Sequence, residues 1–162
     1  MILTICLGSW IALGILKFFW MSHEFVIDLL KLSISTIFFS FIFSLAARQV
    51  LFSGHVDLNK IVGSLSLFLV LGLIWSFLYL IILKLDSDSF SGICLQSQNT
   101  DFSNATYFSF VTLTTLGYGD ITPRSSLAKL LVYLESAVGI FYMSVVVSSL
   151  VGASLNKKQI DI

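Results

Sequence analysis

Long apolar runs alternate with short polar segments along the chain. Residues 2–20, 26–47, 61–85 and 127–155 form four such runs. Each has about the 20 residues, or more, that a helix needs to cross the hydrocarbon core of a bilayer. The pattern therefore predicts four transmembrane helices. Residues 2–20 lack a basic start and a small-residue cleavage site, so we interpret them as a retained helix rather than a signal peptide.

A fifth apolar stretch, residues 102–114, is too short to cross a membrane. It predicts a re-entrant helix that enters the membrane and turns back. The glycine-rich residues 115–120 follow it, and non-helical backbone at membrane depth is tolerated only inside protein or beside water. Length alone therefore predicts that residues 115–120 line a cavity.

The polar segments give a topology. Residues 48–60 form a connector bracketed by Arg48 and Lys60, which favours the cytoplasmic side, and Lys157 and Lys158 follow the last run. An even number of spans then places both termini in the cytoplasm. Residues 86–101 are rich in Asp, Ser, Gly and Asn, which predicts an aqueous loop.

Aromatic residues near the end of the third run suggest a membrane-interface role. We expect Trp75 and Tyr79 to act as interface anchors there.

The second run carries charges and a stripe of small residues. Asp28 and Lys31 are one turn apart, and we interpret them as a local ion pair, with a role in sensing or permeation as the alternative. The stripe recurs at spacings of three and four, which is typical of a helix that packs closely on a neighbour; its members are Ser33, Thr36, Ser40, Ser44 and Ala47. No run has Arg or Lys at every third position, so the ladder of a voltage sensor is missing from the sequence.

Composition agrees with a membrane protein. The chain has 162 residues, of which 57% are hydrophobic and 11% charged, whereas soluble domains have about a quarter charged. Formal net charge is zero and the basic residues form no tract, which gives nucleic-acid binding no support. His and Cys show no metal-ligand spacing, so we expect no resident cofactor. No soluble partner is identifiable from the sequence.

The order of outer helix, re-entrant helix, Thr-Thr-Leu-Gly-Tyr-Gly-Asp at residues 114–120 and inner helix resembles the pore module of the potassium channel family. Gly139 lies 20 residues after Gly119, the offset of the inner-helix hinge glycine in this family. The segment Leu-Glu-Ser-Ala-Val-Gly-Ile-Phe-Tyr at residues 134–142 is most similar to inner helices of small bacterial potassium channels.

The resemblance implies an all-α membrane protein with four transmembrane helices, one re-entrant pore helix and a tetrameric pore. We divide it into two extra N-terminal helices at residues 1–57, an ion-channel pore domain at residues 58–157 and a cytoplasmic tail at residues 158–162.

The resemblance also implies a selectivity filter of Thr115, Leu116, Gly117, Tyr118, Gly119 and Asp120. Carbonyls of residues 115–118 and the Thr115 hydroxyl would replace the hydration shell of K⁺, and Gly117 and Gly119 would take left-handed dihedrals. Leu116 stands where the family has Val. Tyr118 would pack behind the filter, braced by Tyr107 or Phe108.

Three features around the filter complete the expected support. Asp120 would bond to Tyr107 at the outer mouth. The C-terminal end of the re-entrant helix, which includes Thr114, would favour a cation through its partial negative charge. Glu135, an acid within the inner helix, requires a partner such as a hydroxyl or backbone group of the re-entrant helix. Its role would be structural behind the filter or, alternatively, in gating or proton sensing.

The inner helix supplies candidates for gating. Gly139 is a hinge or a site of close packing, and the sequence leaves the two open. Alignment with the family predicts four residues on the pore-facing side, namely Ile140, Met143, Val147 and Val151.

These features predict a homotetrameric potassium channel in the cell membrane that conducts K⁺ passively, and not an enzyme. A non-conducting accessory subunit of a cation channel is the alternative. A potassium-uptake transporter subunit fits less well, because such proteins fuse four pore-like repeats and this chain has one.

Overall fold

The computed structural model describes residues 8, 24–52, 58–93 and 98–160, and helices dominate this part of the chain. The element order is α1 (Glu24–Phe52), α2 (Leu58–Leu85), β1 (Phe90–Ser91), α3 (Gln98–Leu113), β2 (Thr122–Pro123) and α4 (Ser126–Ile160). The predicted helix at residues 2–20 lies outside the described residues, apart from residue 8.

Among the described residues, three helices are long and apolar enough to cross a membrane: Phe25–Val50, Val62–Leu85 and Ser126–Val146. Their mean hydropathies are 1.9, 2.5 and 1.5. They correspond to the second, third and fourth predicted spans.

Helix ends differ from the predicted ones because apolar runs underestimate helices whose ends lie in water. The predicted connector at residues 48–60 is wrong at both ends, since α1 continues to Phe52 and α2 begins at Leu58. The re-entrant helix begins at Gln98 rather than at residue 102. Its polar first turn includes Asp101, an acid that the positive end of a helix dipole stabilises.

Helix α2 lies at the centre of the protomer, with α1 packed on one side and α3 and α4 on the other. Its buried residues recur at helical spacing, from Phe68 and Leu71 through Trp75 and Tyr79 to Leu83. The predicted interface role of Trp75 and Tyr79 is wrong, because 9% of the Trp75 surface is exposed and none of Tyr79 is. Both side chains face the inside of the protomer rather than the interface.

The charged start of α1 contacts the end of α2. Asp28 of α1 forms an ion pair with Lys84 of α2 at 3.5 Å. The sequence predicted a different cationic partner for Asp28, namely Lys31 on the same helix. Two hydroxyls of the α1 stripe form hydrogen bonds within their own helix. Ser33 and Thr36 each donate to the carbonyl four residues earlier at 2.8 Å. Such intrahelical bonds hide polar groups and allow a neighbouring helix to approach.

Candidate functional site

The predicted filter follows the end of α3, and the sign of its backbone φ angles alternates from residue to residue. Thr115, Gly117 and Gly119 have positive φ angles of 58°, 56° and 82°, whereas Leu116 and Tyr118 between them do not. The left-handed prediction for the two glycines is confirmed, and Thr115 was not predicted because a β-branched residue rarely adopts positive φ. Alternating handedness turns successive peptide planes the same way, so that neighbouring carbonyls can face one side.

Hydrogen bonds tie the start of this segment to α3 through its N–H groups. Thr115 donates to the Thr112 carbonyl and Leu116 to the Val111 carbonyl, both at 2.9 Å, and Gly117 donates to Val111 at 3.3 Å. Within the described part of the chain, no backbone hydrogen bond uses a carbonyl of residues 115–118 as its acceptor. The N–H groups of residues 115–117 are therefore engaged, while the carbonyls of residues 115–118 remain available within the described residues.

Residues 114–120 are all exposed on the isolated protomer, including 67% of the Tyr118 surface and 54% of Leu116. An apolar side chain exposed beside a membrane-embedded loop calls for another protein surface. Of the two braces predicted for Tyr118, Tyr107 or Phe108, the second packs elsewhere. Phe108 is buried, and its ring packs on Tyr79 and Phe90 at centroid distances of 5.1 and 5.4 Å.

A short antiparallel ribbon holds the far end of the segment. Phe90 of β1 pairs with Pro123 of β2, and the Arg124 N–H donates to the Ser89 carbonyl at 2.7 Å. Gly92, with φ of +90°, approaches so closely that a Cβ there would lie 2.2 Å from the Asp120 carbonyl oxygen. Sequence reasoning missed this contact, because two-residue strands carry no periodic signal.

Asp120 and Tyr107 meet at the surface beside the ribbon. The Tyr107 hydroxyl donates to Asp120 Oδ2 at 2.7 Å, which is the contact expected from the sequence. This hydrogen bond, more than burial or charge, raises the pKa of the Tyr107 phenol above its ordinary value. The phenol therefore stays a donor at neutral pH.

Glu135 is fully buried between three helices and holds them together. It accepts hydrogen bonds from the Tyr79 hydroxyl of α2 and from Ser109 Oγ of α3, the latter at 2.6 Å. Ser109 Oγ also lies 2.8 Å from the Gly72 carbonyl oxygen. Tyr79 is a partner that sequence reasoning missed, although its spacing of four from Trp75 and Leu83 places all three on one face of α2.

Gly139 is buried where α4 crosses the end of α3. A Cβ at Gly139 would lie 2.1 Å from the Leu113 carbonyl oxygen, so this position requires glycine for close packing. Of the predicted pore-facing residues, Ile140 and Met143 are exposed on the protomer. The side chains of Val147 and Val151 lie outside the described residues.

The sequence around the candidate site matches a known protein family. A family model described as "Ion channel" matches residues 65–154, which is more than half of the chain. The chain belongs to this ion channel family. It is a channel protein of the membrane rather than an enzyme.

Two curated relatives are both named as potassium channels. The chain is 33% identical over 72 residues to two-pore potassium channel 4 of Arabidopsis thaliana, covering 44% of this chain and 24% of the plant protein. It is 49% identical over 45 residues to probable potassium channel protein 2 of Methanocaldococcus jannaschii, covering 26% of this chain and 13% of that protein. The chain thus spans a quarter or less of these relatives. No solved structure matches it.

Proposed function

We propose that four copies of this chain form a potassium-selective channel that conducts K⁺ passively across the membrane. The observation that carries the proposal is the backbone at residues 115–119, where handedness alternates. The N–H groups of residues 115–117 are engaged in backbone hydrogen bonds, whereas within the described residues the carbonyls of residues 115–118 accept none. A K⁺ ion gives up its water only where oxygens replace it. Thr115, Leu116, Gly117 and Tyr118 would supply those oxygens.

One protomer offers one row of carbonyls, which cannot surround an ion. The exposed Leu116 and Tyr118 and the exposed apolar face of α4, with Tyr133 and Phe141, need further protein surfaces. Four copies around one axis satisfy both needs, since the rows converge while each Tyr118 packs on the neighbouring protomer. The C-terminal end of α3, at Leu113 and Thr114, then directs partial negative charge at the axis.

The residues around the filter have supporting roles in this proposal. Tyr107 and Asp120 fix the outer mouth, and Glu135 holds α2, α3 and α4 at fixed distances behind the filter. Gly139 acts as a packing contact. Ile140, Met143, Val147 and Val151 line the inner pore, where an apolar ring at Val147 or Val151 closes the pathway by dewetting.

The proposed membrane topology of the chain follows from the positions of its charged residues. The start of α1, the end of α2 and the filter mouth share one end of the protomer, as the Asp28–Lys84 pair indicates. Arg48 lies near the opposite end of α1 and is exposed. The positive-inside rule then places that opposite end, with the C-terminal part of α4, in the cytoplasm, and a span at residues 2–20 puts the N-terminus there too.

Single-channel recording of the purified chain in planar bilayers tests the proposal. With K⁺ on one side and Na⁺ on the other, the reversal potential should shift strongly toward K⁺, and Ba²⁺ should block the current. Equal permeability to the two ions would refute selectivity. Silence in bilayers, together with tetramers in detergent, would favour the accessory-subunit alternative. Val147→Asp or Val151→Asp should raise open probability, and unchanged gating in both would refute the dewetting gate.

A further inference from the structure

A cavity of about 270 Å³ lies away from the filter, between α1, α2 and the first turn of α3. It is partly open and lies near the start of α1, the end of α2 and the first turn of α3. Its lining combines apolar and charged side chains from these three helices: the apolar ones are Leu32, Phe77, Leu80 and Phe102, and the charged ones are Asp28, Lys31, Lys84 and Asp101. The combination of apolar and charged groups limits what can occupy the cavity.

Among the described residues, the charges that line the cavity leave one cation available. Asp28 is buried and pairs with Lys84 at 3.5 Å. Asp101 is buried in the first turn of α3, where it has a partner of its own and the positive helix end stabilises it. Lys31 is half-buried and has no hydrogen-bond or ion-pair partner within the described ranges of the chain. An ammonium in this position is stabilised by an anion.

The apolar lining residues decide which class of anion fits. The rings of Phe77 and Phe102 pack against each other at a centroid distance of 5.7 Å, and both line the cavity. A free phosphate gains nothing from these rings. A phospholipid has both parts, a phosphodiester and an acyl chain, and the bilayer supplies it at high concentration.

We propose that this cavity binds an anionic phospholipid, with the phosphodiester on Lys31 Nζ and the start of an acyl chain against Phe77 and Phe102. Ser35, one turn along α1 from Lys31, lines the same cavity and offers a hydroxyl donor to the headgroup. The lipid joins α1, which lies outside the matched family region, to the first turn of the pore helix α3. The site requires only a membrane-embedded chain, so it stands or falls independently of ion conduction.

Native mass spectrometry of the full-length chain, purified in detergent and titrated with phosphatidylglycerol or phosphatidylcholine, tests this site. Wild type should retain phosphatidylglycerol in preference to phosphatidylcholine. Lys31→Gln should bind phosphatidylglycerol about fivefold more weakly, the factor that the ~1 kcal/mol contribution of one Lys beside anionic lipid represents. Lys31→Arg should restore binding, which separates the loss of charge from a folding defect.

Lys129→Gln is the matched control, because Lys129 is exposed on α4 outside the cavity. The control should bind phosphatidylglycerol as wild type does. Equal binding by Lys31→Gln and wild type, an equal loss in Lys129→Gln, or no preference over phosphatidylcholine would each overturn the proposal. Displacement of the lipid by millimolar inorganic phosphate would identify a free-anion site and overturn it as well.

Discussion

Gly139→Ala distinguishes a packing glycine from a hinge glycine. The new Cβ would lie 2.1 Å from the Leu113 carbonyl oxygen, and real Cβ atoms essentially never approach within 3.0 Å. The end of α3 and the adjoining turn of α4 must therefore separate by at least the difference, 3.0 − 2.1 = 0.9 Å. Leu113 lies two residues before Thr115, so the displacement passes into the start of the filter.

The energetic cost of overpacking and the displacement caused by Gly139→Ala lead to the same expectation. Overpacking of a tight interior costs ~1–3 kcal/mol, which outweighs the ~1 kcal/mol that Ala gains over Gly in a helix. A shift of 0.9 Å also lengthens the 2.9 Å bond from Leu116 N–H to the Val111 carbonyl if α3 and the filter do not move together. We expect lower thermal stability of the assembly and a lower K⁺/Na⁺ permeability ratio.

Gly72→Ala is the matched control for this substitution. Its Cβ would also approach α3, but it meets the outer ring atoms of Phe110 at 2.6 Å rather than backbone. A side-chain ring can rotate away, so the filter should keep its selectivity. Both variants are measured by thermal unfolding in detergent and by reversal potentials in bilayers. If Gly139→Ala keeps wild-type stability and selectivity and changes only open probability, Gly139 is a hinge and the packing argument is wrong.

Three further substitutions test the site. Ser109→Ala leaves Glu135 with one donor fewer and should lower stability by ~1–3 kcal/mol, seen in thermal unfolding, whereas Ser136→Ala, whose hydroxyl bonds only within α4, should not. In Gly119→Ala, the added Cβ would meet no atom within 4 Å, but residue 119 has a φ of +82°. A loss of K⁺/Na⁺ selectivity would therefore reflect ~1–2 kcal/mol of backbone strain, and unchanged selectivity would contradict the role of left-handed φ. Tyr107→Phe should destabilise the outer mouth at neutral pH. The pKa of the Tyr107 phenol is raised above 10.0. The stabilisation from its hydrogen bond to Asp120 is therefore present below the pKa of the unfolded state and is lost only as pH rises through the pKa of the folded state. Loss of channel current in wild-type recordings at pH 8 would refute this.

The left-handed backbone at the two glycines of the proposed filter was predictable from the sequence. Gly117 and Gly119 indicate left-handed φ directly, since glycine alone adopts it without steric cost. Thr115 was not predictable, because its positive φ is imposed by the bonds that residues 115–117 make back to α3. The local propensity of threonine favours a negative φ, and the contacts with α3 override it.

The supporting shell was only partly predictable. The need of Glu135 for a hydroxyl on the re-entrant helix followed from the cost of burying an acid, and Ser109 is that hydroxyl. Tyr79 was misassigned because aromatic residues near a helix end are typical of membrane interfaces, and that expectation outweighed the helical spacing that places Tyr79 inside. The contact of Gly92 with Asp120 depends on chain segments far apart in sequence, which no local pattern encodes.

Synthesis delivers the two hydroxyls of Tyr79 and Ser109 before their acceptor, by 56 and 26 residues respectively. An acid at the centre of a lone membrane helix costs up to ~2.5–3.5 kcal/mol, so α4 alone carries a cost that the hydroxyls of α2 and α3 relieve on contact. The hydrogen bonds to Glu135 therefore favour insertion of α4 beside α2 and α3, which are synthesised before it.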